Sequence, residues 1–296
     1  MNKRQIRKPL LYLFFLCLIA MACYGYFVEP SRIDVKRIVI RDDALHQAWG
    51  EIKIVQLSDL HITVFGKREA EILQRLTEIR PDLVVVTGDW VQWNRDPAAA
   101  LQFLERLRAP LGVYGILGDA DLAAGRRTCF FCHPGGDVHR LRQQPKILKN
   151  GVEEIALPAP GKKLRIAGIL PQESADTGLT VLFENLQQTN EPLLFLGHFS
   201  AGWPEVKNDA PLLWLAGDTH GGQIALPDRI WQKFHLVDYP QYMAGLFADG
   251  RHKWLYVNRG LGTVSYFPFR IGVPPEITVI TFGKAADQEG GNGAYP

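Results

Sequence analysis

Apolar residues gather along this chain in short runs, and most runs end on Gly, Asp or His. Ile52–Leu57 is one, followed at once by Ser58, Asp59, Leu60 and His61. Asp82–Thr87 is rich in β-branched residues and closes on Gly88 and Asp89. Leu111–Leu117 closes on Gly118, Asp119, Ala120 and Asp121. Short apolar runs bounded by turn residues predict buried strands, and Val35–Ile40 predicts an earlier one. Between them the period lengthens. Ala70, Ile72, Leu73 and Leu76 predict an amphipathic helix over Lys67–Ile79 that Pro81 stops. A second helix is predicted from Pro97 to Leu107. Strands and helices alternating at this spacing imply parallel βαβ units, in which ligands bind at the carboxyl ends of the strands.

Residues 122–143 are polar and irregular, with Gly125, Pro134, Gly135 and Gly136, and predict a loop insertion. The second half is strand-rich, with runs at Lys146–Leu148, Val152–Leu157, Leu164–Leu170, Leu193–Leu196, Leu212–Ala216, Tyr242–Phe247, Lys253–Val257 and Glu276–Phe282. The tail beyond Gly283 is rich in Gly and Ala and predicts disorder. No repeat of solenoid period occurs.

The N-terminus has a different pattern. Lys3, Arg4, Arg7 and Lys8 precede 19 uncharged residues, Leu10 to Val28. At about 1.5 Å per residue that run matches one hydrocarbon thickness. Two readings are open: a signal anchor, or a signal peptide cleaved after Ala20-Met21-Ala22. Tyr24, Tyr26 and Phe27 extend the run into an interfacial aromatic belt and favour the anchor. Basic residues on both sides, Arg32, Lys36, Arg37 and Arg41 among them, leave the membrane side weakly specified. The default for such an N-terminus puts the body of the protein outside the cytoplasm. The expected organisation is an anchor over 1–30, one domain over 31–283 and a tail over 284–296.

Composition changes this picture little. The 296 residues are 47% hydrophobic and 22% charged, an ordinary globular balance. A net charge of +2 gives no nucleic-acid footprint. Four cysteines are too few for a disulfide scaffold, and Cys17 and Cys23 lie in the apolar run.

The candidate chemistry sits at the ends of the runs. Gathered in order, the motifs are Asp59-x-His61, Gly88-Asp89, Gly118-Asp119-Ala120-Asp121, Gly197-His198 and Gly217-Asp218-Thr219-His220. Asp59 and His61, two apart on an extended segment, are expected to point the same way and share a cation. Any one such residue is an ordinary turn residue. Five motifs in order at strand ends predict a metal site, because four carboxylates crowded together need cations to offset them.

This order and spacing resembles the calcineurin-like metallophosphoesterases over about residues 35–282. It is most similar to their membrane-anchored YkuE/YaeI-like phosphodiesterase branch. Gly217 to Gln223, Asn258-Arg259-Gly260-Leu261-Gly262 and Pro274-Pro275-Glu276-Ile277 carry that closer likeness. The resemblance implies a four-layer α-β-β-α sandwich. It also implies two divalent ions, manganese first, with magnesium, iron or zinc as alternatives. Asp59, His61 and His220 would hold one ion, Asp119, His198 and Asp218 the other, and Asp89 would bridge them. Arg259 would contact substrate. The implied reaction is hydrolysis of a phosphodiester or pyrophosphate. The implied substrate is a lipid-linked or nucleotide-lipid phosphate such as UDP-2,3-diacylglucosamine, met at the membrane, and no nucleic acid is expected as a partner.

The sequence departs from the family at Asp119 (expected Asn), Asp218 (expected His), Gln92 (often Asp) and Ala120 (expected His). The two added carboxylates make the second site harder, which favours manganese, magnesium or calcium over zinc. Ala120 removes the group that protonates the leaving oxygen in the family. His133, His139 or Arg259 could substitute, the leaving group could be acidic already, or the chain could be a metal-bearing pseudoenzyme that binds a phosphorylated lipid or protein partner.

Weaker signals remain open. Cys129-Phe130-Phe131-Cys132-His133 fits half-buried cysteines under a loop, a disulfide, a zinc site with His139, or c-type haem attachment. Phe130, Phe131 and Trp231–Phe234 fit plain packing or an acyl-chain groove. His46, His235 and His252 read as surface or satisfied core residues.

Overall fold

The computed structural model describes residues 3–92, 98–122, 145–171, 189–203, 206, 209–234, 240–250, 252–264 and 266–285. Two six-stranded sheets lie face to face. The first has the order β1 (Asp34–Arg41), β12 (Glu276–Gly283), β2 (Ile54–Leu57), β3 (Leu83–Thr87), β4 (Val113–Ile116) and β5 (Lys146–Ile147). The second has the order β10 (Gly245–Ala248), β11 (Lys253–Val257), β9 (Leu212–Ala216), β8 (Leu193–Leu196), β7 (Lys163–Gly168) and β6 (Gly151–Ala156). The central strands β2, β3 and β4 are parallel, as are β7, β8, β9 and β11. Their carboxyl ends therefore meet along one edge of the sandwich.

The continuous apolar runs follow from burial on both faces. In β3, Leu83 and Val85 face the core between the sheets, where Leu194, Leu196, Leu213 and Leu215 meet them. Val84 and Val86 face the other way, onto α3 (Lys67–Ile79) and α4 (Ala98–Leu104) through Ile72, Leu76, Phe103 and Leu104. In β9 the alternation repeats: Leu213 and Leu215 point inward, while Leu212, Trp214 and Ala216 pack under Trp203 and Val206. This is the sandwich of the expected fold.

Most predicted elements form within two or three residues of their expected bounds, and α3 and β9 coincide with theirs. Three differ more. The strand predicted at Tyr242–Phe247 is β10, which begins at Gly245 after a helical turn over Pro240–Tyr242. A helix, α2 (Asp43–Trp49), fills a stretch for which no element was predicted. Trp231–Phe234 is helical, part of Asp228–Phe234, here α5. The Cys129–His133 motif and His139 lie outside the described residues, as do His235 and the tail beyond residue 285.

The apolar N-terminus is a helix, α1 (Lys3–Cys23), extended by a wide turn of π-helix at Tyr24–Val28 and a tight one at Glu29–Ser31. Residues Pro9–Ser31 are long and apolar enough to cross a membrane, and their side chains are almost all exposed. The last turns touch the domain. The Gly25 carbonyl accepts from the Arg270 amide at 2.9 Å, and buried Glu29 accepts from the Gly272 amide at 2.9 Å.

Candidate metal centre

The motif residues converge where the strand ends of the two sheets meet. The donor atoms of Asp59, His61 and His220 lie within 4.8 Å of one another; so do those of Asp59, Asp89 and His198, and those of Asp119, His198 and Asp218. All seven expected residues are thus joined in one chain of groups. His61 Nε2 stands 3.2 Å from His220 Nε2 and 3.3 Å from an Asp89 oxygen. His198 Nε2 stands 3.7 Å from Asp89, 3.3 Å from Asp119 and 3.8 Å from Asp218. Two ligands each about 2.1 Å from a shared cation lie roughly 3–4 Å apart. The spacing, and a donor set of carboxylate oxygens and imidazole nitrogens, fit divalent cations.

The local backbone that achieves this is unusual. Asp59, His61, Asp89, Asp218 and His220 all have left-handed φ values, between 42° and 70°. Such residues cost about 1–3 kcal/mol each and persist where the surroundings over-determine them. Asp59 and His61 therefore converge for a different reason from the one expected. β2 stops at Leu57, and two left-handed residues fold the chain back so that both side chains enter the cluster. Backbone bonds hold the fold-back: Asp59 N–H to the Gly88 carbonyl at 3.1 Å, and His61 N–H to the Asp89 carbonyl at 2.9 Å.

The surroundings also aim the donors. His198 Nδ1 donates to the Thr87 carbonyl at 2.8 Å, which leaves Nε2 facing the carboxylates. The amide of Asp218 donates to the Asp59 carboxylate at 3.1 Å, tying the second sheet's loop to the first's. Fully buried Asp121 accepts from the amides of Gly118 and Trp90 and so pins the loops that carry Asp119 and Asp89. Gln56 Nε2 bridges the sheets from β2 to the Ala216 carbonyl at 2.8 Å.

Electrostatics matches the geometry. Burial pushes the Asp89 carboxyl well above its ordinary value; His198 opposes this, and Asp121, Asp119 and Asp59 add to it. Burial likewise raises Asp59. Burial works against the His198 charge, yet the carboxylates around it hold its pKa well above the usual imidazole range. His220 is held well below that range by burial, then by His61 and Arg270. Carboxylates pushed toward neutrality beside an imidazole pulled toward charge mark a pocket short of positive charge, which bound cations supply.

The two ends of the cluster differ in exposure. Asp59, His61, Asp89, His198 and His220 are buried, whereas the Asp119 and Asp218 side chains are 64% and 41% exposed. Water therefore solvates the two carboxylates that depart from the family pattern. Ala120 is buried beside them, its amide donating to Asp89 at 2.8 Å. Arg259 is outside the cluster of donor atoms. Its guanidinium is paired with Glu276 and, at 2.7 Å, with Asp34.

Arg270 had no sequence signal. It is fully buried, donates to the Arg259, Gly260, Gly262 and Val273 carbonyls, and stands 3.4 Å from His220 Nδ1. A lone Arg in a Phe-rich segment reads as a surface residue, and only the fold shows the ring of carbonyls waiting for it. His46 and His252 hold structural contacts, with the Phe282 carbonyl and Asp42.

A two-sheet sandwich with buried Asp and His at its converging strand ends defines a metal-dependent phosphoesterase scaffold. Residues 52–222 match the family model described as calcineurin-like phosphoesterase, and the chain belongs to that family of hydrolases, whose members bind metal ions. It is 30% identical over 271 residues to the uncharacterized metallophosphoesterase YkuE of Bacillus subtilis, covering 87% of this chain and 89% of that one. It is 27% identical to the phosphodiesterase YaeI of Escherichia coli, over 87% of this chain and 91% of the relative. It is 26% identical to the UDP-2,3-diacylglucosamine pyrophosphatase LpxG of Chlamydia muridarum, over 86% and 90%.

Proposed function

We propose that this chain is a membrane-anchored phosphodiesterase or pyrophosphatase that uses two divalent ions, manganese foremost, on a lipid-linked or nucleotide-lipid phosphate. The observation that carries the reading is the single cluster formed by Asp59, His61, Asp89, Asp119, His198, Asp218 and His220. In it Asp59, His61 and His220 would hold one ion and Asp119, His198 and Asp218 the other, with Asp89 shared between the two groups. The ions, when bound, lower the pKa of water and neutralise phosphate charge. The protein's own residues orient and exclude. His198 keeps its lone pair on the site through Thr87, and among the described residues the exposed Asp119–Asp218 side opens the cluster to solvent. The oxygen-rich second site supports the choice of manganese. The LpxG name supports a nucleotide-lipid substrate, whose phosphate leaving group needs no proton from the position of Ala120. The apolar α1 supports the anchor; the extracytoplasmic side is proposed on the basic Lys3, Arg4, Arg7 and Lys8 ahead of it.

The test is turnover of an activated aryl phosphodiester by the purified full chain with manganese, beside Asp89→Ala. The expected outcome is metal-dependent hydrolysis that Asp89→Ala lowers by at least about 100-fold, together with loss of bound metal. Equal rates in the two chains would sink the reading. Ala120 motivates a second one, an attenuated enzyme whose main task is to hold a phosphorylated lipid or protein partner. It predicts metal uptake and tight phosphate-ester binding with negligible turnover.

A further inference from the structure

The turns that follow α1 are tied to the segment that carries Arg270, whose side chain reaches His220. Gly25 is buried, and a Cβ there would stand 2.7 Å from Ile271 Cγ1. Its carbonyl holds the Arg270 amide, and Glu29 holds that of Gly272. The point where the apolar helix meets the domain is thus fixed at residues 270–272. Aromatic residues surround that point. The Tyr26 ring is 5.4 Å from that of Phe269, which is 5.5 Å from that of Phe267. Tyr26 is 46% exposed, Phe27 70% and Tyr266 88%, a degree of exposure that rules out core packing for Tyr266. Amphipathic rings at the end of an apolar span belong at the headgroup level of a bilayer.

The same segment supports the ligands. Gln223 ends the turn that carries Asp218 and His220, and its side chain donates to the Phe267 and Phe269 carbonyls and accepts from the Val264 amide. Arg270 joins the anchor's end to the Gly260–Gly262 loop and reaches His220. Helix end, aromatic surface and the turn of Asp218 and His220 therefore form one hydrogen-bonded unit, with Arg270 between the ring of Phe269 and His220.

We propose that Tyr26, Phe27, Tyr266, Phe267 and Phe269 form a platform seated in the lipid–water interface, which holds the metal centre against the bilayer. The occupant is the phospholipid interface itself. The site then takes phosphate esters of amphiphiles still embedded in the membrane, since their phosphates lie in the thin polar layer, about 5–8 Å a side, that the platform enters. This rests on the anchored phosphoesterase reading and deepens it by fixing which face meets lipid.

The experiment uses the full chain with Cys17, Cys23, Cys129 and Cys132 replaced by Ser, checked for unchanged manganese binding, in phosphatidylcholine–phosphatidylglycerol vesicles. Nitroxides are placed in turn by Leu13→Cys, Tyr266→Cys and Lys163→Cys, the last at the start of β7, away from the site. Collision with oxygen and with a water-soluble nickel chelate reports depth. The expected result is residue 13 in hydrocarbon, residue 266 at the interface and residue 163 in water. Residue 266 as open to nickel as residue 163, with residue 13 in lipid, overturns the platform and leaves the anchor standing. Residue 13 in water overturns both. Shielding at residue 266 that needs added membrane proteins also overturns it, in favour of a protein partner. A second arm uses Tyr266→Ser in the natural chain. It should leave turnover of a soluble aryl phosphodiester unchanged and lower turnover of a vesicle-embedded lipid phosphodiester by about threefold. Equal effects on both substrates count against the platform. No turnover of either substrate in the unaltered chain, with residue 266 at the interface, strikes the phosphoesterase reading alone.

Discussion

On the proposed function, Ala120 stands where a general acid would serve. Its amide is committed to Asp89 and its methyl group donates no proton. Restoring the family residue, Ala120→His, is expected to raise the rate on an alkyl phosphodiester by about 10²-fold, the low end of general-acid assistance. On an aryl ester, whose leaving group needs no proton, the gain should be small. Rates measured across leaving groups of different acidity check this; parallel gains on both would argue against an acid role. Asp42 offers a test unrelated to catalysis. Burial raises its pKa, but hydrogen bonds from Trp254, the Leu45 amide and His252 outweigh burial and leave it below 3.8. A depressed carboxyl stabilises the fold above its unfolded pKa, and that stability is lost as pH falls through the native value. Asp42→Ala, which also removes the cap of α2, should cost about 1–2 kcal/mol at pH 7. The deficit should shrink below about pH 4 in denaturant titrations; a pH-independent deficit would refute the linkage.

At the scale of elements, the turns that carry the candidate ligands fit together because neighbouring positions carry no side chain. Gly88 has φ of 96°, and a Cβ there would stand 2.5 Å from His198 Nδ1. A Cβ on Gly217 would stand 1.9 Å from Ser58 Oγ and 2.5 Å from an Asp59 carboxylate oxygen. Gly88→Ala should therefore destabilise the domain by about 2–4 kcal/mol and also reduce bound metal, as calorimetry and elemental analysis would show. Unaltered metal content would mean that His198 is not a ligand. These turns were legible in the sequence because residue type and order identify them even though their geometry does not. The strands were legible because both faces are buried, so apolar runs and strands coincide. α2 is hard to read from the chain although its signals are present: an Asp42 cap, Leu45 and Trp49 one turn apart, and Gly50 closing it at φ 68°. It is only seven residues long, too short for periodicity to register. Trp231–Phe234 belongs to an equally short helix, and of the two readings open to it Trp231 takes plain packing, against Gly222. Arg270 was illegible for a different reason: its partners are backbone carbonyls, which leave no mark in a sequence.

On the scale of the whole molecule, the two sheets are joined under the metal centre by a buried polar knot as well as by apolar packing. Tyr256 of β11 donates to Glu276 of β12 at 2.5 Å, and Asn258 donates to Thr278 at 2.7 Å. Arg259 closes the knot by pairing with Glu276 and Asp34, so the guanidinium expected at the substrate also holds β1 and β12 to the ligand loop. The turns that follow the apolar helix, through Gly25 and Glu29, bond to the same structure. A chain truncated to begin at Ile33 loses the Gly25–Arg270 and Glu29–Gly272 hydrogen bonds and the Tyr26–Phe269 ring contact. At about 1 kcal/mol for each of these three contacts, it should be roughly 2–4 kcal/mol less stable than a chain beginning at Tyr24, measured in one detergent. Because Arg270 bears on His220 and on the Gly260–Gly262 loop, the shorter chain should also bind manganese more weakly. Equal stability and equal affinity in the two chains would mean that the helix is a mere tether and that the metal centre is complete without it.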